Sequence, residues 1–434
     1  MSPRRFRTFS VSDSALFRQR AFQWAVQFEH VHFFHGFEAP EQPYPFGSFP
    51  MRLAAGSAAE FRVRALGDTF TGLQAFHAQH RDWLVGCLSY DLKNEIERLT
   101  SVREDHLGFP LAWFYQPVHL IDFAEGSVTI GSLHNPEAIF QAIMVTPVAF
   151  PGTQWPTLPA IQPRVLRSDY LRTVEAIRAH ILAGDVYELN YCLEFFAERA
   201  AIDPWQTYER LRGISPTPFS VFQRLGPHYL LGASPERFLK KTGDQLVSQP
   251  IKGTIRRGVD AAEDGALKEQ LRNDEKERAE NMMIVDLVRN DLARSAITGS
   301  VRVEEMFGIY SFRQVHQMIS TVSARLRPAV PFTEALRNAF PMGSMTGAPK
   351  VRAMELIEQY ERTRRGLFSG AVGYVSPEGD FDFNVVIRSL LYHAESQYLS
   401  FQVGSAITYD SVPEREYEEC LLKAYAMRKA LGQE

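Results

Sequence analysis

Residues 84–92, LVGCLSYDL, residues 111–123, LAWFYQPVHLIDF, and residues 127–133, SVTIGSL, are short apolar or alternating runs set apart by polar, Gly and Asn positions. Runs of this kind read as strands of one sheet. The first third of the chain is therefore expected to be mostly β. Pro147, Pro151, Pro156, Pro159 and Pro163 then crowd around Trp155, too densely for a helix or a central strand, and mark the best linker position. Beyond it, Ser168 is placed to cap a helix in which Tyr170, Val174, Ile177 and Ile181 keep a 3/4 spacing until Gly184 ends it. The strand-like VYELNYCLEFF follows.

Further strands are expected at FSVFQRL, HYLLGA, VRVEEMFGI, FRQVHQMISTVSARL, AVGYVS, FNVVIRSLLY and LSFQVGSAI, with helices near 265–294, 332–340, 350–361 and 413–431. Strands and helices mix without a βαβ rhythm. That pattern favours an α+β architecture with sizeable antiparallel sheets over a doubly wound parallel one.

The chain's 434 residues allow up to three domains on length alone, and 45% apolar with 23% charged residues supply a large core. Lys plus Arg is 47 against Asp plus Glu 51, net −4, so no global field draws in nucleic acid or an anionic membrane, and any anionic ligand needs a local site. Cys87, Cys192 and Cys420 are too few and too scattered for a disulfide framework or a cysteine metal site, which fits a reducing cytoplasm. No run approaches 18 apolar residues, and the start MSPRRFRTFSVSDSALFRQR lacks the apolar stretch of a secretory signal. A soluble, unexported protein is expected.

Several constellations bear on chemistry. DEKERAENMMIVDLVRND sets Glu277 and Glu280 three apart on one helix face, and PEREYEECLLK repeats the arrangement with Glu416 and Glu419. Two such helices meeting across a cleft would gather hard oxygen ligands suited to Mg²⁺; apart, the same glutamates are solvated surface. GSMTGAPK, 343–350, fails as a nucleotide phosphate loop, because three residues rather than four separate its glycines and Val351 follows Lys350. It still reads as a Gly-rich turn feeding a helix, with Pro349 near its start, where free N–H groups and the Thr346 hydroxyl could hold a carboxylate. In QPIKGTIRRG, Lys252 lies between Pro-Ile and Gly; a dry pocket would lower its pKa and free the amine for attack, whereas a surface turn would leave it inert. Glu236 in SPERF is a general acid if buried and an ion-pair partner if not. His316 in FRQVHQMIS either orients or protonates a substrate or is a satisfied core histidine.

Taken in order, SPERF, PIKGTIRRG, AENMMIVDLVRND, GSMTGAPK, SGAVGY, NVVIRSL and VGSAITYDSVPEREYEE resemble the chorismate-utilizing enzymes, a group with anthranilate synthase component I, aminodeoxychorismate synthase component I, isochorismate synthase and salicylate synthase among its members. The resemblance is strong over 165–434, and GCLSYDLKNEIERL is similar to the N-terminal segment of the amino-transferring members. It implies a catalytic chorismate-binding part at 165–434 and an N-terminal segment, 1–150, interlocked with it. The implied fold is two large antiparallel sheets packed face to face with helices outside.

The same resemblance implies Mg²⁺ held by Glu280 and Glu419, with Glu277 and Glu416 nearby, gripping the chorismate ring carboxylate. It places Arg388, Gly404, Ser405, Thr254, Thr346, Lys423 and Glu188 around the substrate and His316 among the catalytic groups. Anthranilate synthases usually read PIAGT where this chain, like the aminodeoxychorismate-forming members, reads PIKGT. The implied reaction is amination of chorismate to 4-amino-4-deoxychorismate, precursor of 4-aminobenzoate and folate, with Lys252 attacking ring carbon C2 and Glu236 assisting loss of the C4 hydroxyl. Where this chain has Glu188, isochorismate and salicylate synthases carry a lysine base and the amino-transferring enzymes commonly a glutamine; one role for Glu188 is to deprotonate incoming ammonium. Phe368 stands where anthranilate synthases often have tyrosine.

Cys87 in VGCLSY lacks the glycine and glutamine of a glutaminase nucleophile turn, so ammonia is expected from a separate glutamine amidotransferase subunit. Two alternatives remain: anthranilate synthase component I, and a catalytically silent chorismate-binding subunit that supports a glutaminase.

Overall fold

The computed structural model describes residues 3–37, 43–148 and 159–433. Pro151, Trp155 and Pro156 of the expected linker lie outside the described residues. Pro163, which does lie within them, closes a two-residue edge strand, Gln162–Pro163, where its missing N–H costs the ladder little.

Among the described residues, twenty strands join into one hydrogen-bonded network in which every ladder is antiparallel. Strand Ala112–Ala124 is its branch point. Along one edge it pairs with Arg52–Val63; along the other it takes Leu84–Leu88 in its first half and Ser127–Ser132 in its second. Pro117 separates those halves, and the register toward Arg52–Val63 slips beside it, between Ser57 and Ala59. A residue without an N–H interrupts the ladder there and lets the sheet divide.

One arm continues through His30–His35, Phe219–Leu225, His228–Ser234, Ser389–His393 and Tyr398–Ile407 to Glu188–Ala197. The other runs from Leu84–Leu88 through Ala371–Val375, Phe381–Val385, Arg237–Thr242 and Gln245–Gln249 to Val315–Arg325, which also pairs with Ile251–Arg256 and Arg302–Ser311. The arms face each other. Gln223 Nε2 donates to Cys87 Sγ at 3.7 Å, Asn384 Nδ2 donates to the Phe219 carbonyl at 2.9 Å, and the Phe34 and Tyr374 rings meet edge-on at 5.4 Å. The expected α+β fold of two facing antiparallel sheets is the one observed, with the sheets joined at their shared strand.

Strand alternation divides the apolar residues between two cores. Leu230 and Leu391 point into the space between the arms, whereas Leu231, Leu390 and Tyr392 point outward to a second core. Helices Ser14–Ala25, Arg167–Leu182, Lys350–Tyr360 and Pro413–Ala430 cover that second core. Because His30–His35 pairs with Phe219–Leu225 and Leu84–Leu88 with Ala371–Val375, the N-terminal third is woven into the rest.

Some local readings need correction. Strands predominate in the first third as expected, but helices Ser14–Ala25, Thr69–His80 and Pro136–Val145, not anticipated from the sequence, alternate with them. The first begins at Asp13, whose carboxylate accepts the Leu16 N–H at 2.8 Å. Ser168 lies inside the first turn of Arg167–Leu182, and Leu166 takes the cap position. The helical region expected at 265–294 is two helices, Ala261–Asn273 and Glu275–Ala293, parted by Asp274. Asp274 Oδ1 accepts the Glu277 N–H at 3.0 Å, which starts the second helix and fixes the orientation of its acidic face. FNVVIRSLLY is likewise two strands, because Arg388 adopts a left-handed φ of +49° between them.

Candidate active site

A cavity of about 540 Å³ is walled by strand Ile251–Arg256, the turn before Arg237–Thr242, the Tyr398–Ile407 strand and helices Glu275–Ala293 and Pro413–Ala430. Its lining includes Glu236, Lys252, Thr254, Glu277, Glu280, Arg388, Gly404, Glu419 and Lys423. Residues spread over nearly 190 positions thus share one space.

Lys252 sits beside Gly253, whose φ of +93° favours glycine and where an added Cβ would come within 3.2 Å of Glu277 Oε2. The lysine side chain is 10% exposed, and its Nζ donates to Glu188 Oε1 at 2.6 Å. Burial by itself would lower its pKa, yet Glu188, Glu280 and Glu419 together hold the ammonium well above its ordinary value. The expectation of a lowered lysine pKa is therefore corrected: the side chain is nearly buried, but the surrounding carboxylates outweigh the desolvation.

Glu236 shows the opposite balance. Burial drives its carboxyl up to about 7, against the pull of the neighbouring Ser344 hydroxyl and the Lys252 ammonium. Glu280 also reaches about 7, raised by burial and by Glu188 and Glu277, and held back by Lys252 and Lys276. Burial and Glu419 raise Glu277. Glu419 itself is lowered, because Lys423 at 2.6 Å, with Lys276 and Lys252, overcomes its burial.

The acidic pairs do face one another. Lys276 Nζ lies 3.7 Å from Glu280 on its own helix and 3.6 Å from Glu416 on the other. Glu416 is buried and outside the cavity lining. Among the described residues no three acidic, His or Cys side chains are already drawn together as a metal cage. Glu277, Glu280 and Glu419 nevertheless line one cavity beside Lys252, Lys276 and Lys423 and are hard oxygen donors of the kind a divalent cation takes, so the donor chemistry fits Mg²⁺.

Arg388 lines the cavity and makes no ion pair among the described residues; burial lowers its pKa, opposed by Glu419 and Glu236. Its guanidinium is available to an anion. Lys423 Nζ donates to the Gly404 carbonyl at 2.9 Å, and a Cβ at Gly404 would fall 2.5 Å from Cys192 Sγ.

Other expected site residues lie behind the wall. The Thr346 hydroxyl is buried and donates to the carbonyls of Met342 and Gly343. Ser405 points to the opposite face of its strand, 3.1 Å from the Tyr170 hydroxyl. His316 lies between the lining residues Val315 and Gln317, so strand alternation turns its ring away. Its Nε2 is 2.9 Å from Asp264 and its Nδ1 is 2.9 Å from the Ser311 hydroxyl. Lys350 is engaged elsewhere, 2.6 Å from Asp291. Lys276, Asn190, Gln317 and Gln402 line the cavity but were not anticipated. Only Lys276 carried a local signal, its i,i+4 spacing to Glu280.

Residues 37–429 match the family described as chorismate binding enzyme. The chain belongs to that family. Among curated relatives, an aminodeoxychorismate synthase of Streptomyces griseus is 44% identical over 61% of this chain, which spans 36% of that protein's length. Aminodeoxychorismate synthase component 1 of Salmonella typhimurium is 37% identical over 77% of this chain and 73% of its own. Anthranilate synthase component 1 of Thermus thermophilus is 36% identical over 80% and 77%. The crystal structure of anthranilate synthase component I from Streptococcus pneumoniae superposes with a TM-score of 0.76, covering 87% of this chain and 91% of that one at 28% identity. The chain's net charge is −4, and its cavity sets Lys252, Lys276, Arg388 and Lys423 among Glu236, Glu277, Glu280 and Glu419. Among the described residues no helix is long and apolar enough to cross a membrane.

Proposed function

We propose that this chorismate-binding enzyme is the aminating component of an aminodeoxychorismate synthase, turning chorismate and ammonia into 4-amino-4-deoxychorismate and water for 4-aminobenzoate and folate synthesis. The observation that carries the reading is Lys252, a nearly buried amine in the same cavity as a protonatable Glu236 and the unpaired Arg388. Arg388 takes a carboxylate of the dianionic substrate. The Lys252 nitrogen forms a bond to C2, the ring double bonds shift, and the C4 hydroxyl leaves as water with the proton of Glu236. Ammonia then bonds to C4 and the lysine departs from C2.

Glu280 and Glu419, with Glu277 and Glu416 nearby, would hold Mg²⁺, which when bound neutralises the ring carboxylate of chorismate. Ammonia would come from a separate glutamine amidotransferase subunit. Cys87 does not supply it: burial pushes its thiol up to about 12, inside the strand Leu84–Leu88. Three buried, unbridged cysteines suit a reducing cytoplasm.

The Thermus relative supports a second reading, anthranilate synthase component I, with an aromatic 2-amino product and pyruvate. Mass analysis of the product from chorismate, Mg²⁺ and ammonium, before and after adding an aminodeoxychorismate lyase, separates the two. The proposal expects 4-amino-4-deoxychorismate, then 4-aminobenzoate. Anthranilate, or binding without turnover as in a silent subunit, would overturn it. Trapping during turnover should reveal an adduct on Lys252 that Lys252→Ala lacks, with activity lost in that variant.

A further inference from the structure

Glu188 opens the strand Glu188–Ala197, where its backbone is pinned by the ladder to Ala348. Its carboxylate is 1% exposed. Oε1 accepts from Lys252 at 2.6 Å, whereas Oε2 is buried with no hydrogen-bond partner. Buried carboxylates in purely structural ion pairs generally have both oxygens satisfied, because a bare one is costly. This one spends a single oxygen on a lysine and leaves the other buried without a partner.

The amination proposed above requires Lys252 as a free amine, and its nitrogen donates a hydrogen bond to the Glu188 carboxylate at 2.6 Å. The other charged groups facing it are poorly suited to relieve it. Glu277 and Glu280 come from helix Glu275–Ala293 and Glu419 from helix Pro413–Ala430, and these belong to the cation-binding set. Glu236 must begin with its own proton, and Lys276 and Lys423 are themselves ammoniums. Glu188 is the carboxylate within hydrogen-bonding distance of the lysine nitrogen.

We infer that Glu188 is the base that removes the proton from Lys252 as its nitrogen attacks, a catalytic role that rests on the proposed amination. One N–H bond of the ammonium breaks, an O–H bond forms on Glu188, and the freed lone pair makes the bond to C2. When ammonia displaces the lysine, the proton returns from Glu188 to nitrogen. The proton never leaves the pair, so activation needs no proton exchange with bulk water. With glutamine in place of Glu188, the proton has to leave for solvent.

That difference has a kinetic signature. With saturating chorismate, Mg²⁺ and ammonium, the ratio of wild-type to Glu188→Gln turnover should be about 10²-fold near pH 6.5, within the range of general-base effects, and shrink about tenfold for each unit of rising pH. Glu188→Asp, which keeps a carboxylate, should run slower but with the wild-type pH dependence. A ratio near one, or one that does not change with pH while Glu188→Gln still binds chorismate, would overturn the inference. A second readout avoids the proposed reaction. Acetylation of Lys252 by acetic anhydride, followed by mass spectrometry, should climb tenfold per pH unit in Glu188→Gln and stay flatter in the wild type and Glu188→Asp; coincident slopes would also overturn it. If the wild type makes no 4-amino-4-deoxychorismate, the proposed function falls, and the acetylation slopes still decide whether Glu188 takes the proton.

Discussion

Arg365 Nη2 donates to Glu361 Oε1 at 2.7 Å, with the two side chains 1% and 5% exposed. The same guanidinium donates to the carbonyls of Asn190 and Met345, both cavity-lining residues, while Glu361 accepts the Cys192 N–H at 2.9 Å. One buried pair therefore ties two walls of the site together. Removing one partner strands the other charge, so Arg365→Met should lose about 3–5 kcal/mol, read as a lower urea midpoint. Stability within 1 kcal/mol of wild type would show that the clamp holds little.

Glu236 can donate a proton only while it has one. Its carboxyl is held up to about 7 by burial, so amination should be fastest below that pH and fall about tenfold per unit above it. Glu236→Gln should lower kcat by roughly 10²–10⁴ at pH 6 and erase that alkaline limb. An unchanged limb in the variant would assign it to another group.

In the proposed reaction Arg388, which lines the cavity, would meet a carboxylate of chorismate through a charge-assisted hydrogen bond. Such a bond contributes about 1.5–3 kcal/mol, so Arg388→Met should raise KM for chorismate roughly 10- to 100-fold, using 1.4 kcal/mol per decade. Initial-rate kinetics check this; a change in kcat alone would place Arg388 away from the bound carboxylate.

Divalent cation binding and pH should be linked with a defined sign. Native Glu236 and Glu280 keep their protons up to about 7, whereas unfolded glutamates lose theirs near their ordinary value of about 4.3. Between those limits the native state binds more protons, so stability falls as pH rises. Mg²⁺ held by Glu280 and Glu419 as proposed would need the ionised carboxylates and should recover stability where they carry charge. Its increase in Tm should therefore be larger at pH 8 than at pH 5 and nearly vanish in Glu280→Gln; equal shifts at both pH values would speak against these ligands.

Much of this was legible in the sequence. Helices expected near 332–340, 350–361 and 413–431 are observed at Phe332–Ala339, Lys350–Tyr360 and Pro413–Ala430, because those elements bury one stripe of residues that recur at helical spacing. The helices of the first third escaped the same reading. Ser14–Ala25 carries three alanines with Leu, Gln and Arg, all good helix formers, starts at the Asp13 cap and packs on the sheet. The ordered motifs supplied the family, and the glutamate spacing supplied two acidic helix faces.

By itself, the sequence determined which chemical groups the chain carries and the helical or strand period on which each lies. Tertiary structure alone decided which of them meet. Lys252 and Glu188 are 64 residues apart, and no local pattern announces their pairing. His316 and Gln317 are neighbours on one strand, yet only Gln317 looks into the cavity, since alternation tells the two faces apart without saying which one encloses substrate. The charge state of Lys252 is the clearest case. It is set by the summed field of carboxylates from a strand and two helices acting against desolvation, and a field of that kind exists only once those elements have packed.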